Sequence, residues 1–263
     1  MIKFECTDVW GFYHTIRGMR NPLNSWDKSD SDFCYAMPIE CSECNNYDKY
    51  ENECKFKYLL EPEYYIGQKD MELCHRLISG GSEHRKFLRQ IMVSVDITAP
   101  LYWWKEFDTY KVGTVANSCS TMHTIHKKEF DLLDFSFEKI PGQFEEESRL
   151  MTFTNKDICF QGDPDEEYSC ADMMLMIIGA LNKARELYLE TKNKKYWYTM
   201  IQLLPSSYNQ KRTVTMNYEN LRSMYFQRRN HKLDEWREGF CKWVKSLPYA
   251  DELIIFEETT SKD

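Results

Sequence analysis

The chain has 263 residues, 42% of them hydrophobic and 29% charged, with a net charge of −8. That length supports a substantial core in one large domain or two small ones, and the acidic balance argues against a nucleic-acid partner, which would need clustered Lys and Arg. No apolar run nears the roughly 20 residues of a membrane span, and "MIKFECTDVWGF" lacks a leader's basic-then-apolar pattern, so no membrane partner and a cytoplasmic location are expected.

Apolar spacing in "DVWGFYHTIRGMR" predicts a helix over 8–20, stopping before Asn21-Pro22, and "NPLNSWDKSDSD" reads as turns. Residues 34–62 form a cysteine-containing insertion without a readable element. Within it "CSEC" places Cys41 and Cys44 near Cys54, with Cys34 as a fourth thiol. One CxxC beside two singletons falls short of the paired clusters zinc uses, so no metal is expected and these three are only a sparse candidate set. In a reducing compartment the ten cysteines should be thiols.

Further on, "DMELCHRLISGG" predicts a helix stopped at Gly80 and Gly81, and "SEHRKFLRQ" leads into a strand, "IMVSVDITAP", closed by Pro100. Residues 101–111 continue as a helix with Trp104, Phe107 and Lys111 on one face, ended by Gly113. Residues 131–170 are acidic and irregular. "ADMMLMIIGALNKARELYLETK" predicts an amphipathic helix whose Met/Ile stripe reads as core. "YWYTMIQLLP" ends at Pro205, and "SSYNQKRTVTMN" reads as a loop entering a short strand. One helix bearing Leu221, Met224 and Tyr225 and another bearing Trp236, Phe240 and Trp243 follow, before a frayed "ETTSKD" tail. Without repeats or linkers, the expectation is a single α/β (α+β) domain over 1–263, a central mixed sheet flanked by long helices.

Aromatic residues reach 15%, suiting a site that stacks on flat ligands, although rings fill cores more often. Three segments could hold a pyrimidine nucleotide through cations, rings and amides. They are Glu83-His84-Arg85; Lys105, Glu106, Tyr110, Lys111 and Asn117; and Asn217 with Arg222, Arg228 and Arg229. Each charged set has a plainer reading as a solvated helix face, and Asn217 one as an N-cap. Adjacent arginines point to different faces of a helix, so one of Arg228 and Arg229 can face inward, where it needs an anionic partner. Cys119 and His123 would meet only if helical.

The order of these segments resembles the flavin-dependent thymidylate synthases. Ala99-Pro100 followed by "LYWWKEF" is similar to that family's strand and helix, and its Arg-His-Arg signature falls on Thr109, Tyr110 and Lys111, with Cys119 at its serine. "IRGMRNP" and "LISGGSEHRKF" resemble its basic helix and flavin-contact turn, and Pro205, Asn217, Arg228 and Trp236 follow its Leu-Pro, Asn, Arg, Trp run.

The resemblance implies a thymidylate synthase-complementing-protein-like fold and a homotetramer binding FAD and dUMP at subunit junctions. It implies transfer of a methylene from methylenetetrahydrofolate, with NADPH as reductant. Arg228 would polarise the pyrimidine, and Asn217, Thr109, Tyr110, Lys111, Glu83, His84 and Arg85 would approach flavin. Lys105, Glu106, Asn117, Cys119 and Arg229 would approach the nucleotide. The chain departs from the pattern where Thr109, Lys111 and Thr121 replace arginines. Two lost arginines weaken a phosphate clamp by roughly 3–6 kcal/mol at about 1.5–3 per charged hydrogen bond. Either other residues compensate, or the chain is a non-catalytic or repurposed nucleotide binder. A structural or interaction protein with no ligand is the third reading.

Overall fold

The strand Met92–Pro100 buries Val93, Val95, Ile97 and Ala99 at alternate positions, as its β-branched pattern predicts. It lies second in a four-stranded sheet ordered Lys3–Trp10, Met92–Pro100, Asn209–Asn217, Val115–Ser118. The computed structural model describes residues 2–34, 47–48, 53–54, 63–141, 151–157 and 161–257. The chain divides into two compact units. The first holds residues through Cys6, Val95–Lys111 and Val115–Val214; the second holds Thr7–Ser94, Val112–Thr114 and residues from Thr215 onward.

In the first unit, the helix Cys170–Thr191 starts at a capping box between Ser169 and Asp172 and buries Met174, Ile178, Leu181 and Ala184. These side chains form a core with Phe130, Phe135 and Met200, the last from the helix Lys194–Leu203. Part of the Met/Ile stripe is thus core, but Leu175 and Met176 point to solvent. Asn182 clamps Phe130 from both sides, accepting from its N–H at 2.8 Å and donating to its carbonyl at 2.9 Å.

The helix after Pro100 covers only Leu101–Phe107. The N–H groups of Thr109 and Tyr110 bond back three residues, to Glu106 and Phe107, so the chain tightens and unwinds before Lys111. Lys111 therefore leaves the face of Trp104 and Phe107, correcting the longer helix expected there. The expected short strand near 215 is instead nine residues, Asn209–Asn217. Its long polar side chains find partners: Lys211 on Asp96 at 3.1 Å and Glu5 at 3.2 Å, and Arg212 on Asp108 at 2.6 Å. The exposed strand Val115–Ser118 was not foreseen.

In the second unit, the helix expected over 8–20 is Phe12–Met19, because residues through Trp10 are strand. Gly11 makes the break with φ +103°, and a Cβ there would overlap the Gln90 carbonyl oxygen, so only glycine fits. The helix Gln68–Ser79 ends at Gly80 as predicted. Its first-turn N–H groups, Lys69 and Asp70, are satisfied by the Asp30 carboxylate at 2.9 and 3.1 Å.

Strands Asp32–Cys34 and Glu63–Tyr65 pair antiparallel with Cys34 opposite Glu63, so the intervening segment leaves and returns at one place. Within it, Tyr47–Asp48 pairs with Glu53–Cys54. Cys41 and Cys44 lie outside the described residues, as does the "ETTSKD" tail. The helix Tyr218–Arg228 buries Tyr218, Leu221, Met224 and Tyr225 and is followed by buried Trp236, Phe240 and Trp243. Among the described residues no helix is long and apolar enough to cross a membrane.

Candidate functional site

The glycine stop of Gln68–Ser79 and the six-residue 3₁₀ helix Arg85–Gln90 shape a cavity of about 670 Å³ in the second unit. That volume lies within the roughly 300–1,000 Å³ of small-molecule sites. Leu23, Leu73, Leu77 and Phe87 give it apolar walls, and Glu83, His84, Lys86, Arg89 and Gln90 supply polar groups. Lys86 and Arg89 are three apart, and side chains three apart eclipse in a 3₁₀ helix, so both cations share one side. Two cations against one carboxylate favour an anionic ligand with an apolar body.

One wall of this cavity is anchored by a buried ion pair. Arg20 donates from Nε to Asp70 at 2.6 Å and from Nη1 to the carbonyl of Ser25, which lines the cavity, at 3.3 Å. Asp70 also accepts from the hydroxyls of Ser29 and Ser31, both at 2.6 Å, and from the N–H groups of Asp30 and Ser31, both at 3.2 Å. Burial works against its charge, but the bonds from Ser29, Ser31 and Arg20 outweigh burial and hold the carboxyl below the ordinary range.

Of the three consecutive residues predicted to approach flavin, Glu83 and His84 line the cavity. Arg85 does not; its Nε sits 3.0 Å from both oxygens of Glu219. Lys86, Arg89 and Gln90 line it without having been singled out. The available signal was the three-residue spacing of Lys86 and Arg89 after a glycine stop.

Asn217 takes the plainer of its two readings, since its side chain accepts from Asn220 N–H at 3.0 Å within a capping box. Asn220 in turn donates to the Val112 carbonyl at 2.7 Å. Gly113, at φ +76°, packs so closely that a Cβ would lie 2.7 Å from Asn220 Oδ1 and 3.1 Å from Asn217 Nδ2. Arg222 donates to the carbonyls of Ile254 and Phe256 at 2.7 and 2.8 Å. Arg229 is exposed and pairs with Glu257 at 3.0 Å. Arg228 is the half-buried member of the pair, its guanidinium 4.7 Å from the Trp236 ring.

In the first unit, the dense aromatics after Pro100 are core. Trp103, Trp104 and Phe107 are buried against one another, with ring centroids 4.9–5.2 Å apart. Trp104 donates to the Gln210 carbonyl at 2.9 Å, and Arg212 stacks on its ring at 4.2 Å. Lys105, Thr109, Lys111, Asn117 and Cys119 are exposed, while Glu106 and Tyr110 are half-buried. The Thr109 hydroxyl donates to the Glu106 carbonyl at 2.7 Å, a local turn bond.

Cys119 precedes the short helix Thr121–Thr124 and bonds through its N–H to Lys211, so it is not helically paired with His123. Among the described residues, no group of three His, Cys, Asp or Glu side chains could hold a metal ion.

No protein-family model matches the chain, and no curated protein matches it in sequence. Solved structures do. One is thymidylate synthase X (ThyX) from Helicobacter pylori with FAD and dUMP, similar over 97% of this chain and 97% of that one, at TM-score 0.55 and 17% identity. Another is flavin-dependent thymidylate synthase ThyX from Helicobacter pylori complexed with FAD and dUMP, similar over 96% and 97%, at TM-score 0.56 and 17% identity. The likeness runs along nearly the whole of both chains, and at this identity it is a likeness of fold: the chain folds as these proteins do.

Proposed function

We propose that the chain is a divergent flavin-dependent thymidylate synthase-like protein that binds FAD and a pyrimidine deoxynucleotide such as dUMP. The observation that carries the reading is the cavity of the second unit, bounded by Glu83 and His84 and provided with Lys86 and Arg89. Its apolar walls suit a flat ring system and its paired cations suit a diphosphate, so its residues fit the cofactor. The shared fold with two ThyX structures solved with FAD and dUMP supports the same reading. Bound flavin would supply the hydride and the one-carbon relay from methylenetetrahydrofolate, with NADPH as reductant.

This chain's residues bind and orient. Lys86 and Arg89 neutralise phosphate charge, and Leu77 and Phe87 keep water from the ring. Arg228, its guanidinium 4.7 Å from the centre of the Trp236 ring, presents its fork to a pyrimidine carbonyl, and the exposed Arg229 stays paired with Glu257. The first unit's Lys105, Lys111, Asn117 and Cys119, all exposed, contact the nucleotide at a junction with another subunit. The exposed Val115, Leu175 and Met176 leave apolar surface that a homotetramer would cover.

A second reading, a nucleotide-binding homologue without catalysis, is favoured by Thr109, whose hydroxyl is engaged by its own turn. The test common to both is stabilisation by dUMP, which at a hundredfold excess over Kd amounts to about 2.7 kcal/mol. Arg228→Ala should abolish it while leaving the fold intact. Unchanged stabilisation in that variant would remove Arg228 from the site.

A further inference from the structure

The first unit contains a cavity of about 420 Å³ that shares no residue with the site above. It lies where the helices Cys170–Thr191 and Lys194–Leu203 meet through a left-handed turn at Lys192, φ 55°. Its polar lining is cationic or ionisable to a cation: Lys192, Lys194, His123 and His126, with no carboxylate among the described lining residues. Tyr188 and Trp197 supply the rings.

These groups are held in place by packing. The Trp197 indole N–H donates to the Met122 carbonyl at 3.1 Å, fixing the ring plane, and His126 packs edge-on against Tyr188 at 5.1 Å. Lys192 stands 5.8 Å from the Tyr188 ring. Nδ1 of His126 is buried without a hydrogen-bond partner among the described residues. Two lysines can close on an anion while fixed aromatic faces accept a planar group.

We infer that this cavity is a second ligand site, selective for a phosphate ester carrying a planar ring. Lys192 and Lys194 hold the phosphate, and Tyr188 and Trp197 flank the ring. The inference does not depend on flavin binding by the other unit.

Phenyl phosphate is the probe, titrated calorimetrically into the full chain beside inorganic phosphate and phenol. Saturable binding of phenyl phosphate is expected, tighter than either fragment. Lys192→Gln/Lys194→Gln, at two exposed positions, should weaken it by on the order of tenfold or more, the loss that charged hydrogen bonds imply. Arg228→Ala should leave it unchanged. No saturable binding, inorganic phosphate binding equally well, an indifferent lysine variant, or equal weakening by Arg228→Ala would each overturn the assignment.

Discussion

Replacing Asp70 by asparagine tests how the cavity wall in the second unit is held. Asp70 is fully buried and accepts five hydrogen bonds, one of them from the Arg20 guanidinium. Summing five charged bonds would overshoot, because the donors rearrange together. The larger effect is to leave Arg20 buried without its counter-charge, and breaking one side of such a pair costs about 3–5 kcal/mol. At roughly 2–4 °C per kcal/mol for a chain near this size, Asp70→Asn should lower Tm by roughly 6–20 °C.

The pH dependence has a definite sign. The folded pKa of Asp70 lies below its unfolded value of about 3.9, so its stabilising contribution is present above that value. It is lost as pH falls through the folded pKa. The gap in Tm between wild type and Asp70→Asn should therefore be full at neutral pH and shrink below about pH 4. Thermal melts followed by circular dichroism at several pH values read both. A neutral-pH cost under about 1 kcal/mol, or a gap that widens on acidification, would refute the argument. Arg20→Met combined with Asp70→Leu should cost less than the single change, since it leaves no orphaned charge.

Gly11→Ala should destabilise by at least about 1–3 kcal/mol from the left-handed backbone alone, with more from displacing the Gln90 carbonyl, as chemical denaturation would show. Trp104→Phe should cost about 1–3 kcal/mol by orphaning the Gln210 carbonyl, while leaving a smaller aromatic face under Arg212. Lys86→Gln with Arg89→Gln should weaken FAD binding on the order of a hundredfold, about tenfold per lost charged contact, with an unchanged circular dichroism spectrum.

Most elements were legible because local chemistry and packing agree. The strand through Val93–Ala99, the Gly80 stop and the buried face of Leu221, Met224 and Tyr225 all follow from spacing. The helix after Pro100 misled because Trp104, Phe107 and Lys111 keep helical spacing, whereas the turn bonds at Thr109 and Tyr110 end the helix first. The early helix misled because Gly11 in "VWGF" resembles a tolerated helical glycine, yet its positive φ separates strand from helix.

The site was partly legible. Glu83 and His84 of "SEHR" line the second unit's cavity, but Arg85 faces another partner, and nothing local tells that it turns to Glu219, far away in sequence. The crowding of tryptophans suggested a ligand wall and proved to be core, the commoner use of such rings. Asn217 illustrates the same ambiguity: the residue that could hold a ligand also caps its own helix.

The most direct measurement of the account is the visible absorption spectrum of the full-length protein as purified and after incubation with FAD. Retained flavin absorbance in wild type, lost in the Lys86→Gln/Arg89→Gln variant, is the expected result. A protein that stays colourless after incubation with FAD, with no change in the spectrum or fluorescence of the added cofactor, would contradict the assignment of the second unit's cavity as a flavin site.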